Sequence, residues 1–206
     1  MIWCVGESLY DIVFEEHSPR WAVPGGSMLN AAVSAARAGE EVSLISELGN
    51  DAIGYNIRTF LTENGISTSL ISEYNGNTTL ALAFLNQQGD ARYQFYHTSP
   101  AQAPAFKVPA FGPGDVLMFG SFYSISPRNR SNITTLATAA RAAGAVVYYD
   151  PNFRKPHLHQ LQQSLPFIRE NIALAHLVRG SDEDFGLIAG TRTPADTFDF
   201  IKACGG

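Results

Sequence analysis

The chain of 206 residues has only two cysteines, Cys4 and Cys204, near its opposite ends. That excludes a disulfide framework and leaves two thiols expected to be free and buried in apolar surroundings. No apolar run approaches the ~20 residues that a membrane-spanning helix needs, so no membrane association is expected. Met1-Ile2-Trp3-Cys4-Val5 lacks the basic flank and the length of a secretory signal, which makes the cytoplasm the expected compartment. Charge of one sign is scarce too. The formal net charge is −5 without any block of like charges, which argues against nucleic acid as a partner. Three phosphate or nucleophile motifs are missing. There is no Gly-Lys-Ser/Thr of a Walker loop and no Gly-x-Ser-x-Gly of an α/β hydrolase. The first strand runs into Gly6-Glu7-Ser8-Leu9-Tyr10-Asp11 instead of the Gly-x-Gly-x-x-Gly of a nicotinamide-binding enzyme. His157 and His159 have no third ligand nearby, so structural zinc is not expected.

What is present is alternation. Ile2–Val5, Val42–Ile45, Val116–Phe119, Val146–Tyr149 and Leu174–Val178 read as buried strands. Between them, Ala52–Glu63 puts Ile53, Ile57, Phe60 and Leu61 on one face and stops at Asn64-Gly65. Ser131–Ala143 repeats the pattern, and Thr193-Pro194-Ala195-Asp196 opens a last helix with a capping residue, proline at the first position and an acid at the third. Such a sequence predicts a mostly parallel sheet with helices on both faces. Two stretches break the rhythm. Leu80–Asn86 and Ala91–His97 flank Gln87-Gln88-Gly89-Asp90 as a hairpin, and Val13–Val23 is an irregular extended piece turning at His17-Ser18-Pro19-Arg20. Both suit a small β-sheet lid over the strand ends, and the proline-rich Ser99–Pro113 would lead back to the core.

Gly25-Gly26-Ser27-Met28-Leu29-Asn30 is the most informative stretch. Two glycines allow a tight turn and a close approach to a ligand, and the helix that follows, roughly Leu29 to Ala38, aims its free amides at the same place. The bland reading is a plain turn with Asn30 on the surface. Asp11 has two readings as well, a strand end accepting turn amides or a carboxylate gripping a pair of hydroxyls. Asp150-Pro151-Asn152-Phe153-Arg154 reads as a strand-end turn or as a platform bringing Asn152 or Arg154 to a substrate or phosphate. Ser181-x-x-Asp184 is spaced as a capping box, a role compatible with a nearby phosphate or metal. Tyr93, Phe95 and Tyr96 read as packing residues, while alternation puts Arg92, Gln94 and Tyr96 on one face that would look down on a ligand.

Gly25-Gly26, Asn30-Ala31-Ala32, Gly39 and Gly49-Asn50-Asp51 with Gly54 stand at the separations of a known signature. With the Asp11 and Asp150–Arg154 motifs, they make the chain resemble the ribokinase-like (PfkB) carbohydrate kinases from the first strand to about Gly190. The resemblance implies a three-layer α/β/α sandwich with a small β-sheet lid, as one domain over residues 1–206 with lid segments about 13–23 and 78–98. It implies ATP-dependent phosphorylation of a small, fructose-like sugar, with ATP and Mg2+ as cofactors and a homodimer formed through the lid. On the same basis Asp11, Gly25, Gly26, Asn30, Tyr96 and Arg154 hold the sugar, and Asn152 and Asp184 lie near phosphate and metal.

There are departures from the pattern. Met28 stands where the family prefers a small residue or proline, and Ser181 and Asp184 stand for an Asn-x-x-Glu. No counterpart of the family's later Gly-Ala-Gly-Asp is found, and Gly112-Pro113-Gly114-Asp115 reads as a turn before a strand. The catalytic base is therefore expected outside this chain, the C-terminal part of the fold to be missing, and an apolar sheet edge to be uncovered. The competing expectation is a sugar- or nucleoside-binding protein without catalysis.

Overall fold

The short apolar runs pair side by side as a six-stranded sheet in a computed structural model that describes residues 1–15, 18–86, 91–96, 100, 103 and 106–205. Its strands are β1 (Ile2–Val5), β4 (Val42–Gly49), β5 (Ile71–Tyr74), β8 (Val116–Gly120), β9 (Val146–Asp150) and β10 (Leu177–Val178). The order is β10-β9-β8-β1-β4-β5, and every pairing is parallel. Chain order runs outward from β1 through β4 to β5, then returns to β8 on the other side. The order therefore reverses between β1 and β8, where open α/β sheets leave a ligand crevice beyond the strand ends.

Helices cover both faces. On one side α1 (Ser27–Arg37) and α2 (Ala52–Glu63) bury Met28, Leu29, Ala32, Ile57 and Leu61 with Cys4 and Leu44 of the sheet. On the other, α4 (Arg130–Ala142) and α5 (Leu161–Leu174) bury Ile133, Leu136, Ile168 and Ile172 with Val5, Leu117, Phe119, Val147 and Tyr149. The short α3 (Ser121–Ile125) follows β8, and α6 (Asp182–Ala189) and α7 (Pro194–Ala203) close the described chain. Among the described residues no helix is long and apolar enough to cross a membrane.

A second, mixed sheet stands apart from the first. It comprises β2 (Leu9–Glu15), β3 (Ser18–Gly25), β6 (Leu80–Leu85) and β7 (Ala91–Tyr96) in the order β3-β2-β6-β7. The two extended segments read from the sequence thus form one sheet, through the parallel pairing of β2 with β6. Their turns, including His17, Gln87-Gln88-Gly89-Asp90 and His97, lie outside the described residues, as do Ser99 and Pro104 of the return segment.

Several expectations need correction. The described residues of this stretch, Val13–Glu15 and Ser18–Val23, are antiparallel strand with a single irregularity between Val13 and Phe14, and Ser18, Pro19 and Arg20 belong to β3. Leu174 ends α5, so the last core strand shrinks to Leu177–Val178. α1 starts at Ser27, two residues earlier than expected, because Gly26 itself makes the turn. Cys4 is buried, whereas Cys204 is only partly so, and both are free. Leu177 on the edge strand β10 is 55% exposed, and Val146 at the start of β9 is exposed too.

Candidate functional site

Everything about the site begins at the turn into α1. Gly26 has φ of 122°, and a Cβ there would fall 2.2 Å from the carbonyl oxygen of Glu7, so only glycine fits. At Gly25 a Cβ would fall 2.0 Å from Asp11 Oδ2. The bare glycine therefore makes room for the Asp11 carboxylate. Asp11 does not close β1, as its place in the sequence suggests. It is the third residue of β2, paired with Val23 of β3 and Ala81 of β6. Burial raises the pKa of its carboxyl above the ordinary value.

Met28, the odd residue of the turn, is 2% exposed. Its Cβ packs over Gly6, where an added Cβ would lie 2.7 Å away. A bulky residue is admitted after the turn because the first strand ends in glycine opposite it. The departure at Met28 is thereby compensated at Gly6.

Beside this turn lies a cavity of about 350 Å³. Ser27, Met28, Asn30 and Ala31 of α1 form one wall, and Met118, Tyr148, Asp150, Asn152, Arg154 and Arg179 form the rest. The structure thus brings together Asn30, Asn152 and Arg154, three of the residues singled out from the sequence. Asn152 sits at φ 39°, in a left-handed conformation that asparagine tolerates better than most residues, and its amide donates to Asp150 Oδ1 at 3.1 Å. That Asx turn swings the chain so that both Asn152 and Arg154 line the cavity. Arg179, which the sequence reading passed over, donates from Nη1 to Asp150 Oδ2 at 2.9 Å. Its only sequence signal is its place directly after the last core strand.

Five predicted site residues do not line the cavity: Gly25 and Gly26 precede its Ser27, Asp11 lies against Gly25, and Asp184 and Tyr96 are placed otherwise. Asp184 is a reciprocal capping residue: its amide donates to Ser181 Oγ at 3.1 Å, while its Oδ2 accepts from the Ser181 amide at 2.8 Å. It is 3% exposed, and its Oδ1 is buried without a hydrogen-bond partner. The capping reading holds, and Asp184 is not among the residues lining the cavity. Tyr96 pairs with Leu80, in the row of Tyr10 and Pro24, on the opposite face of the small sheet from Asp11. It is 51% exposed, and its hydroxyl accepts from Gln94 Nε2 at 2.7 Å. Tyr93 and Phe95 stack on each other on the Asp11 face and are also exposed, so the three aromatics are not core packing.

The glycines and aspartate at residues 49–54 have a structural explanation. Asp51 caps α2, accepting from the Gly54 amide at 2.8 Å and from the Thr78 hydroxyl at 2.7 Å. A Cβ at Gly54 would lie 2.1 Å from Gly49 O, and one at Gly49 would lie 2.3 Å from Gly76 O. This cluster ties the segment entering β6 to the end of β4. It joins the small sheet to the large one.

A three-layer α/β fold with a four-stranded mixed sheet beside its strand ends, and a cavity at the head of α1, defines the class. A family model described as pfkB family carbohydrate kinase matches residues 1–205. The chain belongs to that family. It is 31% identical over 193 residues to the fructokinase of Escherichia coli, which covers 92% of this chain and 62% of that protein. The chain therefore spans less than two thirds of this relative's length. The crystal structure of the Vibrio cholerae O395 fructokinase in its fructose, ADP and calcium ion bound form matches with a TM-score of 0.84 at 20% identity, covering 98% of this chain and 67% of that one. The aminoimidazole riboside kinase of Salmonella enterica, complexed with aminoimidazole riboside and an ATP analog, matches with a TM-score of 0.82 at 22% identity, over 99% and 67% of the two chains. At these identities the structural likeness establishes the ribokinase-like fold.

Proposed function

We propose that this chain holds the sugar-binding part of a kinase that transfers a phosphoryl group from ATP to a hydroxymethyl group of a fructose-like sugar. One observation carries the reading. Asn30 from the head of α1 meets Asn152, Arg154 and Arg179 from two strand ends around one cavity, next to the glycine turn that accommodates Asp11. Asparagine offers a donor and an acceptor together, which matches sugar hydroxyls, and a carboxylate accepts two of them. Two guanidiniums on one wall fit a phosphoryl group.

Phosphoryl transfer asks chiefly for positioning and charge neutralisation. In this reading Asp11, Gly25, Gly26 and Asn30 orient the sugar, and Arg154, Arg179 and Asn152 offset the negative charge of the group to be transferred. ATP, when bound, supplies that group. The residues present fit phosphate; among the described residues no three His, Cys, Asp or Glu side chains cluster, and magnesium would be held chiefly by phosphate oxygens and water. The small sheet would act as the lid that excludes water. Its exposed Trp21, Val23, Tyr93 and Phe95 share one face, which supports reading it also as the contact of a homodimer.

Isothermal titration of the chain with fructose, followed by an ATP-turnover assay on the native full-length product, tests the proposal. Saturable heat with fructose and phosphate transfer support it, and no heat with any hexose or pentose overturns it. A second reading, sugar or nucleoside binding without catalysis, is favoured by one observation. The single carboxylate lining the cavity, Asp150, is engaged by Arg179 and the Asn152 amide rather than free to take a proton. Heat without turnover in the native full-length product would select that reading.

A further inference from the structure

The segments that leave β8 and β9 are joined at two points beside the cavity. Gly120 ends β8 opposite Asp150, which ends β9. A Cβ on Gly120 would fall 1.9 Å from the Asp150 carbonyl oxygen, so the two strand ends touch with no room for a side chain. Ser121 then turns the chain at φ 54°, a left-handed conformation that residues with a side chain rarely adopt, and starts α3. On the β9 side the Asx turn at Asn152 leads through the buried Phe153 to Arg154 and a short 3-10 helix over Lys155–Gln160.

The second point is a ring contact. The His157 imidazole lies face to face on the Phe122 ring of α3, with centroids 3.8 Å apart and planes 28° from parallel. Phe122 packs in turn against the core between the sheet and α4 and α5. The His157 amide donates to the Arg154 carbonyl oxygen at 2.9 Å. His157 thus closes the turn that opens at Arg154 and fastens it to α3. Its ring is partly buried, and burial together with the neighbouring His159 holds its pKa below the ordinary value, which keeps the stacked imidazole neutral at pH 7. Arg154 is exposed, and among the described residues no hydrogen bond or ion pair holds its guanidinium. Its direction is therefore set by the backbone turn alone.

We propose that His157 is a positioning residue for Arg154, its stack on Phe122 fixing the turn that aims the Arg154 guanidinium into the cavity. Without the ring, Phe153 stays in the core and the Asn152 turn stays closed, but Arg154 samples more directions and has to be ordered when a phosphoryl group arrives. The sugar, gripped from the α1 side, is left alone. The functional consequence rests on the reading of Arg154 as a phosphate-binding residue, whereas the staple itself needs no ligand.

The test compares the wild-type chain with His157→Ala, His157→Phe and Phe122→Leu, by titration with fructose and with fructose phosphate and by hydrogen exchange of the ligand-free protein. In His157→Ala, fructose phosphate should bind roughly three- to tenfold more weakly, the scale of one aromatic contact, while fructose affinity stays within about twofold. His157→Phe keeps a flat neutral ring on Phe122 and should bind both ligands like the wild type. Phe122→Leu removes the same stack from the other side, so adding it to His157→Ala should cost little more. Exchange should quicken in peptides covering 152–160 in His157→Ala and return toward wild type in His157→Phe. Equal losses for the two ligands, additive losses in the double variant or no rescue by phenylalanine each overturn the proposal. If His157→Ala does not fold, Phe122→Leu decides by the same selectivity and exchange. If the wild type binds neither ligand, the phosphate reading of Arg154 fails, and the ligand-free exchange with its rescue still decides whether the stack holds the turn.

Discussion

The Asp11 carboxylate occupies the space that a side chain on Gly25 would need, with Oδ2 2.0 Å from the position of a Cβ there. The two residues belong to neighbouring strands, where Leu9 pairs with Gly25 and Asp11 with Val23. Gly25→Ala should therefore push the carboxylate aside, while the buried Leu9, whose Cδ1 would lie 3.2 Å from the added Cβ, has to give by only a few tenths of an ångström. We expect it to weaken fructose binding by about tenfold or more, since a hydrogen bond to a charged group is worth about 1.5–3 kcal/mol. The melting temperature should change little. Titration calorimetry and a thermal melt of one variant check both halves, and wild-type affinity in Gly25→Ala would remove Asp11 from the sugar site.

Asp11 itself should trade stability for binding. Burial raises its folded pKa above the ordinary value of 3.8. Between the two values the folded state binds more protons than the unfolded one, so this group's contribution is most favourable at low pH and is lost as pH rises through the folded pKa. Asp11→Asn removes the cost of burying a charge. We expect the variant to melt higher than wild type at pH 7, the gain to fade as pH falls toward 3.8, and fructose affinity to drop at neutral pH. A variant that melts lower at pH 7 and binds normally contradicts the assignment.

Arg154 should matter more for a phosphorylated ligand than for the sugar. A charge-assisted hydrogen bond contributes about 1.5–3 kcal/mol, or roughly a factor of ten and upward in affinity. Arg154→Gln is expected to weaken fructose phosphate binding by about that factor while fructose itself loses far less. Arg179→Ala should do the same to a smaller extent, because Arg179 is also shared with Asp150, both arginines being exposed. Titrations at two salt concentrations separate the charge effect, since screening weakens an exposed contact first. Equal losses for sugar and sugar phosphate would place Arg154 elsewhere in the mechanism.

Most of the large sheet was legible because buried parallel strands are near-continuous apolar runs, as at Val42–Ile45 and Val146–Tyr149. The capping residues were legible for a similar reason: Ser181 with Asp184 and Thr193 with Asp196 are local hydrogen bonds written in four residues. What failed was anything decided by a distant partner. Asp11 looked like a strand end because its pairing with β6, some seventy positions away, leaves no mark near it in the sequence. Tyr96 was placed over the site by alternation, yet alternation cannot say which face of a sheet is which until its neighbours are known. Arg179 was missed because a single charged residue after a strand has no periodicity to betray it. Its place on the cavity wall comes from the parallel order that brings the ends of β9 and β10 together.

The joint between the two sheets should be acid-sensitive through Asp51. Burial alone would raise its pKa, but the Thr78 hydroxyl and the Gly54 and Thr78 amides outweigh that and hold it below 3.8. A depressed carboxylate contributes stability above its unfolded pKa and loses it as pH falls through the folded one. Asp51→Ala also removes the cap of α2, a loss of about 1–2 kcal/mol at neutral pH. Urea unfolding of wild type and Asp51→Ala should therefore show a gap at pH 7 that narrows below pH 3.8. Because Asp51 also anchors Thr78 at the entry to β6, the variant should exchange faster along β6 and β7 than along β1 or β8. A gap that persists in acid, or exchange that rises equally in both sheets, would mean that Asp51 caps its helix and nothing more.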